Sequence, residues 1–253
     1  MNTTTNTRRA TGKATREHVL RLARNLPLAK SVLASRVETA TPGQLAFLAD
    51  LFRAENESRE RSRRERPARQ AAFPQPKDLD GYDWSMAAFP ADWGRQQPAS
   101  LDFVHAAEDL VLYGDVGCGK THLAIAIGRL TCQQGIPTRF FTASGLVMRL
   151  RNANAEQRLD RELAAIGKAE LVIIDELSYL PIDIEGARLL FQVIADSYEK
   201  RSLIFTSNLE SGRWADVFGD GDMAAAVIDR IVHHGRIIRF HGESYRNTHS
   251  LMK

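Results

Sequence analysis

The sequence has little cysteine and no long hydrophobic run. Its two cysteines, Cys118 and Cys132, are too few for a disulfide framework or a four-ligand zinc site, so we expect both to be reduced thiols. No apolar stretch approaches the roughly 18–20 residues that span a bilayer, and residues 1–15 contain no apolar segment of the kind found in secretion signals. We therefore expect a cytoplasmic protein that does not contact a membrane.

Charge is nearly balanced over the whole chain but not along it. The formal net charge of the 253 residues is +3. Residues 1–69 contain fifteen Lys or Arg and seven Asp or Glu, a net charge of +8, whereas residues 70–253 contain nineteen and twenty-four, a net charge of −5. A basic arm on an acidic body is typical of proteins that bind a polyanion, with nucleic acid as the first candidate.

Helical periodicity dominates the first quarter of the chain. We predict a disordered tail at residues 1–15 and a small all-α N-terminal domain at residues 16–67, which would serve DNA binding or oligomerisation. The apolar spacing predicts helices at residues 16–26, 28–36 and 44–66. Proline lacks the backbone N–H that a helix interior needs, so Pro67 is expected to end the third helix.

Residues 68–98 have the composition of a linker but an unusual number of aromatic side chains. Phe73, Trp84, Phe89 and Trp93 all fall within this span. Large aromatic side chains seldom remain in water, so the linker should pack along the surface of the domain that follows, residues 99–253.

That domain alternates between strand and helix patterns. Short apolar runs predict five strands, at residues 109–113, 138–142, 171–175, 203–207 and 237–240, and helical patterns separate them. Strands joined by helical crossovers are parallel, and such sheets are covered on both faces. The predicted fold is therefore α/β, with a five-stranded parallel sheet.

A complete phosphate-binding motif lies between the first of these strands and the helix after it. Glycines in such a loop let backbone N–H groups converge on phosphate oxygens, while Lys120 places its charge against the β- and γ-phosphates and Thr121 offers a hydroxyl to Mg²⁺. The residues expected to bind the nucleotide are Gly114, Asp115, Val116, Gly117, Cys118, Gly119, Lys120, Thr121 and His122. The sequence therefore predicts an ATP site with Mg²⁺ as its metal.

Polar residues at the ends of two later strands complete the candidate catalytic set. Asp175 ends an apolar strand and should hold Mg²⁺ together with Thr121, and Glu176 is placed to polarise the attacking water. Asn208 follows another apolar strand and is expected beside the γ-phosphate, although a lone asparagine also forms turns. The expected catalytic residues are Lys120, Glu176 and Asn208, and the reaction is hydrolysis of ATP to ADP and phosphate.

This ordered set resembles the AAA+ ATPases, and more narrowly the insertion-sequence ATP-binding transposition helpers (IstB-like) and the related bacterial replicative helicase loaders (DnaC-like). The resemblance covers about residues 20–246 and rests on residues 78–84, 114–121, 172–181, 206–208, 229–234 and 242–246. It implies that Arg230 is a catalytic arginine finger acting in trans on a neighbour's γ-phosphate, and hence a homo-oligomer, either a ring or a helical filament. Only twenty-three residues follow Arg230, so we expect no C-terminal lid, with Arg246 as a possible second sensor.

The basic arm supplies the expected DNA contacts. The arginines concerned are Arg53, Arg59, Arg61, Arg63, Arg64, Arg66 and Arg69. Contacts of this kind bind the phosphate backbone of duplex DNA without selecting a sequence. The alternative is that these arginines pair with glutamates of their own helix, for example Glu55 with Arg59.

Two functions remain open at this point. The resemblance favours a helper that assembles on double-stranded DNA with ATP and assists a partner transposase, and the alternative is a helicase loader that grips single-stranded DNA. Glu176 and Arg230 argue against a non-hydrolysing scaffold or a small-molecule kinase.

Overall fold

A computed structural model describes residues 14–177, 183–218 and 221–244, and all but the last two residues of the predicted tail (residues 1–15) lie outside this part of the chain. Contacts within the chain divide it into two compact units, residues 1–63 and residues 64–253. Each unit has its own hydrophobic core.

The smaller unit is helical. It contains α1 (Arg16–Leu22), α2 (Lys30–Glu38) and the first part of α3 (Pro42–Ala71). The Thr15 hydroxyl accepts a hydrogen bond from the backbone N–H of His18 and so caps α1. At the start of α3, Thr41 and Gln44 form a reciprocal capping box, because each side chain accepts from the other residue's backbone N–H. The buried core consists of Val19, Ala23, Leu26, Val37, Leu45, Ala49 and Phe52.

Two helix boundaries differ from the prediction. Helix α1 ends at Leu22 rather than near residue 26, and α3 continues past Pro67 to Ala71. Pro67 and Ala71 are both buried, and the Arg139 side chain donates a hydrogen bond of 2.7 Å to the carbonyl of Gln70. The prediction that Pro67 ends the helix was therefore wrong, because packing and this carbonyl contact stabilise one further turn against the cost of the proline.

The larger unit contains the α/β sheet. All five predicted strands are present, as β2 (Asp109–Gly114), β3 (Thr138–Thr142), β4 (Leu171–Asp175), β5 (Ser202–Ser207) and β6 (Gly235–Phe240). They are parallel to one another. A sixth strand, β1 (Ala87–Ala88), pairs antiparallel with β6, so the sheet is mixed rather than wholly parallel and its order is β1-β6-β2-β5-β4-β3.

Helices cover both faces of this sheet. Those of the larger unit are α4 (Gln97–Ser100), α5 (Asp102–His105), α6 (Lys120–Gln133), α7 (Ala143–Ala155), α8 (Leu159–Ile166), α9 (Ile184–Ser197), α10 (Ala215–Phe218) and α11 (Gly221–His234). Side chains of α7, α9 and α11 join one core cluster, and side chains of α5 and α6 join the other. Alternate residues of each central strand enter opposite clusters, as Val111 and Leu112 do in β2. In the described part of the chain, no helix is both long and apolar enough to cross a membrane.

The segment before the sheet also packs against it. The partly buried side chains that it adds to the core cluster beside α6 are Phe73, Leu79, Tyr82, Trp84, Met86, Ala87, Phe89 and Trp93. Phe73 meets Phe140 of β3 edge to face, with ring centroids 6.1 Å apart. This packing places residues 74–86 beside the carboxyl end of β2, where the phosphate loop begins.

Candidate nucleotide-binding site

The phosphate loop has a backbone shape that needs its glycines. Gly117 and Gly119 have φ angles of +82° and +92°, in the left-handed region that side chains disfavour. A Cβ atom on Gly119 would lie 2.9 Å from the Tyr82 hydroxyl, and one on Gly117 would lie 2.1 Å from the Ser244 hydroxyl. Gly119 is also the N-cap residue of α6, so the loop presents the N-terminus of a 14-residue helix, which favours anions.

Lys120 is held at the base of this loop. Its side chain is 7% exposed, and its ammonium group donates hydrogen bonds to the carbonyls of Gly114 (2.6 Å) and Asp115 (2.5 Å). A buried ammonium is costly unless it is hydrogen-bonded, and these carbonyls reduce that cost. Phosphate oxygens would compete with the same carbonyls for the lysine.

Cys118 lies inside the loop, and its side chain is buried. Burial raises the pKa of its thiol, and the nearby charge of Lys120 offsets this only in part. Its sulfur donates to the carbonyl of Gly242 at 3.4 Å. Both cysteines are free, as expected for reduced thiols.

Asp175 is the buried carboxylate of the site. It is 4% exposed, and its Oδ1 accepts hydrogen bonds from the hydroxyls of Thr121 (2.8 Å) and Thr206 (2.5 Å). The Thr206 hydroxyl in turn accepts from the backbone N–H of Glu176 at 2.9 Å. These bonds connect the end of β4, the end of β5 and the first turn of α6, and they place the Thr121 hydroxyl directly against the carboxylate. Joint binding of Mg²⁺ by Thr121 and Asp175 stays a prediction.

Glu176 and Asn208 lie in the same cleft. The Glu176 backbone has a φ angle of +60°, which is uncommon outside glycine and turns the chain sharply as β4 ends. Its side chain is exposed and lines a cleft of about 690 Å³ together with Thr206, Asn208 and residues 116–122. Strand β5, which Asn208 follows, is paired with β2, the strand that leads into the phosphate loop.

Arg230 lies elsewhere on its own chain. It is part of α11, where its guanidinium donates to the carbonyl of Ala226 (2.9 Å) and stacks over the Phe191 ring at 5.3 Å from the centroid. Among the described residues, those that line the cleft do not include Arg230. Its action on a neighbouring subunit therefore stays a prediction, and Arg246, the possible second sensor, lies outside the described residues.

The basic arginines lie on α3 and fall into two groups. Arg59 pairs with Glu55 at 2.6 Å, which is the pair that the alternative named, and Arg53 pairs with Asp50 at 2.5 Å. The side chains of Arg61, Arg63, Arg66 and Arg69 are exposed, and that of Arg64 lies outside the described part. DNA binding by this helix stays a prediction.

Two residues of the site were missed by sequence reasoning. Thr206 bonds to Asp175 across 31 positions, and Tyr82 donates from its hydroxyl to the carbonyl of Gly119 across 37 positions, at 3.2 Å. Tyr82 lies within residues 78–84, one of the segments on which the family resemblance rests, but that resemblance gave it no role in the site. The ring of His122, which was expected to touch the nucleotide, lines the cleft but is hydrogen-bonded to the carbonyl of Asp78 at 2.9 Å.

The sheet order and the site define a class of protein. A phosphate loop between β2 and α6, flanked by β5 and by the acidic end of β4, is the arrangement of the AAA+ phosphate-loop proteins. The structure is similar to the crystal structure of the DnaC helicase loader (TM-score 0.52, 22% identity, 65% of this chain and 96% of that chain). It is also similar to AMPPCP-bound DnaA from Aquifex aeolicus (TM-score 0.54, 15% identity, 68% and 52%). These likenesses establish the fold.

The family follows from the sequence comparisons. The model of the IstB-like ATP binding protein family matches residues 15–252, and the chain belongs to that family. It is 37% identical to the insertion sequence IS232 ATP-binding protein of Bacillus thuringiensis subsp. berliner, over 83% of this chain and 85% of that protein. It is 36% identical to the IS21 ATP-binding protein of Pseudomonas aeruginosa, over 79% and 76%.

Proposed function

We propose that this protein is an ATPase that assembles on duplex DNA with ATP and assists a partner transposase. The convergence of the phosphate loop, Asp175, Glu176 and Asn208 in one cleft carries the proposal. Membership of the IstB-like ATP-binding family supports ATP as the nucleotide, and relatives named for insertion sequences support the role in transposition.

ATP binding uses the loop and the helix that follows it. Backbone N–H groups of residues 117–121 donate to the phosphate oxygens at the N-terminus of α6, and Lys120 exchanges its carbonyl partners for the β- and γ-phosphates. The base and ribose occupy the part of the cleft that Gly81, Tyr82 and Met86 line. The driving force is charge-assisted hydrogen bonding in a partly water-excluded site.

The donor set of the cleft also fits Mg²⁺. The Thr121 hydroxyl and the Asp175 carboxylate are oxygen ligands 2.8 Å apart, and oxygen is the ligand that Mg²⁺ prefers. These two residues would hold the ion, whose chemistry there is to neutralise charge on the phosphates. Glu176 accepts a proton from the attacking water, and the Asn208 amide orients that water and the γ-phosphate.

Arg230 supplies the missing positive charge from a neighbouring subunit. Planar guanidinium donors stabilise the charge that spreads over the transferring phosphoryl group. Arg230 is outside the cleft of its own chain, which is what a finger acting in trans requires. Hydrolysis then depends on assembly, as a ring or a helical filament, and the exposed arginines of α3 bind that assembly to the DNA backbone.

A helicase loader is the second candidate, and the likeness to the DnaC helicase loader favours it. The two functions differ in the nucleic acid they bind. A transposition helper binds duplex DNA in the presence of ATP, whereas a loader prefers single strands. Filter binding with duplex and single-stranded oligonucleotides of one sequence, at matched salt, separates them.

The ATPase assignment is tested by two variants that fail in different ways. Lys120→Ala removes the charge that holds the phosphates, so ATP binding should weaken. Glu176→Gln keeps the shape of the cleft but removes the base, so binding should persist while turnover falls by at least roughly 10²-fold. Nucleotide binding and phosphate release are measured on both proteins. Near wild-type hydrolysis by Glu176→Gln would refute the role of Glu176.

A further inference from the structure

We call residues 73–88 the strap. Three side-chain hydrogen bonds connect the strap to α6 and its N-cap residue. The Arg129 guanidinium donates to the carbonyl of Lys77 at 2.7 Å. The ring of His122 bonds to the carbonyl of Asp78 at 2.9 Å, and because a carbonyl only accepts, Nε2 of His122 carries the proton. The third bond runs from the Tyr82 hydroxyl to the carbonyl of Gly119. Only this third bond reaches the phosphate loop itself.

Tyr82 is rigidly placed for that contact. Its ring packs edge to face against Trp84 and His122, with centroids 4.8 and 5.1 Å apart. Burial raises the pKa of the Tyr82 hydroxyl, and the charge of Asp83 raises it further, so the group stays a donor. The carbonyl it meets also accepts the N–H of Leu123, the first hydrogen bond of α6.

A second segment holds the other side of the loop. Residues 241–244, which follow β6, bring the Gly242 carbonyl to the Cys118 sulfur and the Ser244 side chain against Gly117. The strap is joined to this segment, because β1 pairs with β6 and the N–H of His241 donates to the carbonyl of Met86 at 3.0 Å. The strap therefore contacts one side of the phosphate loop and residues 241–244 contact the other, and the pairing of β1 with β6 connects these two segments.

We propose that Tyr82 is a positioning residue of the phosphate loop, whose hydroxyl fixes Gly119 in the left-handed conformation that ATP binding needs. The inference rests on the proposed function of the cleft. Gly119 immediately precedes Lys120, so rotation of the Gly119–Lys120 peptide would move both the lysine and the first N–H groups of α6. A hydrogen bond of ordinary net strength raises the equilibrium ratio of the fixed to the rotated peptide about 5-fold.

Amide hydrogen exchange of the nucleotide-free protein tests whether the Tyr82 hydroxyl stabilises the phosphate loop. Tyr82→Phe keeps the ring and its packing and removes only the hydroxyl. Exchange in a peptide that covers residues 114–123 should become about 5-fold faster, while exchange in β3 should not change. Tyr198→Phe removes a hydroxyl that lies away from the cleft and serves as the matched control, with no change expected in either peptide.

ATP affinity is then measured on the same proteins. Tyr82→Phe should raise the Kd for ATP by up to about 5-fold, because binding must again order the loops that have left the binding-competent conformation. Unchanged exchange in the loop, faster exchange throughout the larger unit, or a lower Kd would each overturn the inference. A wild-type protein that does not bind ATP would instead refute the proposed function, and the exchange comparison would still decide whether Tyr82 holds the loop.

Discussion

Asp109 provides a quantitative test of the fold because it is a buried acid far from the cleft. It begins β2, at the opposite end of the strand from the phosphate loop, and is 7% exposed. Burial raises its pKa from 3.8 to about 7, although a hydrogen bond of 2.7 Å from the N–H of Leu203 favours the charged form. The folded chain therefore keeps a proton over a pH range in which the unfolded chain has lost it.

The two pKa values of Asp109, 3.8 when unfolded and about 7 when folded, determine how the free energy of unfolding changes with pH. The stability associated with the protonated carboxyl is fully present below about pH 4 and is lost as the pH rises to about 7. The whole loss is on the order of 4 kcal/mol, at about 1.4 kcal/mol for each pH unit between the two pKa values. Between pH 5 and pH 8 the expected part of this loss is roughly 2–3 kcal/mol.

Asp109→Asn removes the titration but keeps an oxygen that accepts from Leu203. Relative to the wild type, the variant should therefore gain roughly 2–3 kcal/mol in free energy of unfolding between pH 5 and pH 8. Urea denaturation followed by tryptophan fluorescence measures this, since all three tryptophans lie in the larger unit.

The control is Asp160→Asn, at an exposed position on α8. Water solvates this side chain whether or not the chain is folded, so the stability change should be the same at both pH values. If Asp109→Asn also gave equal stability changes at pH 5 and pH 8, the account of Asp109 as a buried, protonated acid would be wrong.

Two further predictions concern assembly and DNA. Arg230→Ala should bind ATP normally but lose hydrolysis, and mixing it with Lys120→Ala should restore part of the activity, because each variant supplies the half-site that the other lacks. Phosphate release that equals the sum of the separate rates in confirmed mixed assemblies would contradict a finger in trans. Replacing Arg61, Arg63 and Arg66 by Ala should weaken duplex binding and reduce the slope of log affinity against log salt by about 2.7, at about 0.9 for each phosphate that the variant no longer neutralises. The control for this replacement is the pair Arg53→Ala and Arg59→Ala, which have carboxylate partners on their own helix and should change the slope less; equal slopes in the triple variant and the wild type would place DNA elsewhere.

The central strands were predictable because a buried strand appears in the sequence as a run of consecutive apolar residues. Strand β4 (Leu171–Asp175) is buried along its whole length, and such a strand appears in the sequence as an uninterrupted apolar run. The polar residue that ends the run marks the edge of the sheet where the cleft lies. Strand β3 (Thr138–Thr142) is only partly buried, and its bounds were also predicted to the residue.

Features that depend on distant contacts were not predictable in this way. Strand β1 has only two residues, so it has no periodicity, and it exists because β6 offers a free edge. The continuation of α3 through Pro67 depends on burial of Ala71 and on the side chain of Arg139, both invisible to local propensity. In both cases the prediction from local sequence failed because packing within the larger unit determines the structure.

The residues of the candidate site show the same difference between local sequence motifs, which were predictable, and contacts between distant residues, which were not. Residues 114–121 are contiguous, so their spacing alone identified the phosphate-binding motif. The contacts of Thr206 and Tyr82 connect residues more than thirty positions apart. They follow from the order of the strands and from the path of the strap, which no single motif encodes.

Arg230 has to leave two partners in its own chain before it can act on a neighbouring subunit, and this costs free energy. Within its own chain the guanidinium already has a carbonyl partner, Ala226, and an aromatic partner, Phe191. Leaving both costs roughly 1–2 kcal/mol, the sum of a net hydrogen bond and an exposed cation–π contact. A neighbour's γ-phosphate exceeds this cost through charge-assisted bonds, whereas a cleft without that phosphate offers no such bonds. If Arg230 acts in trans, the subunit contact should therefore strengthen when the neighbour holds ATP and weaken after phosphate leaves.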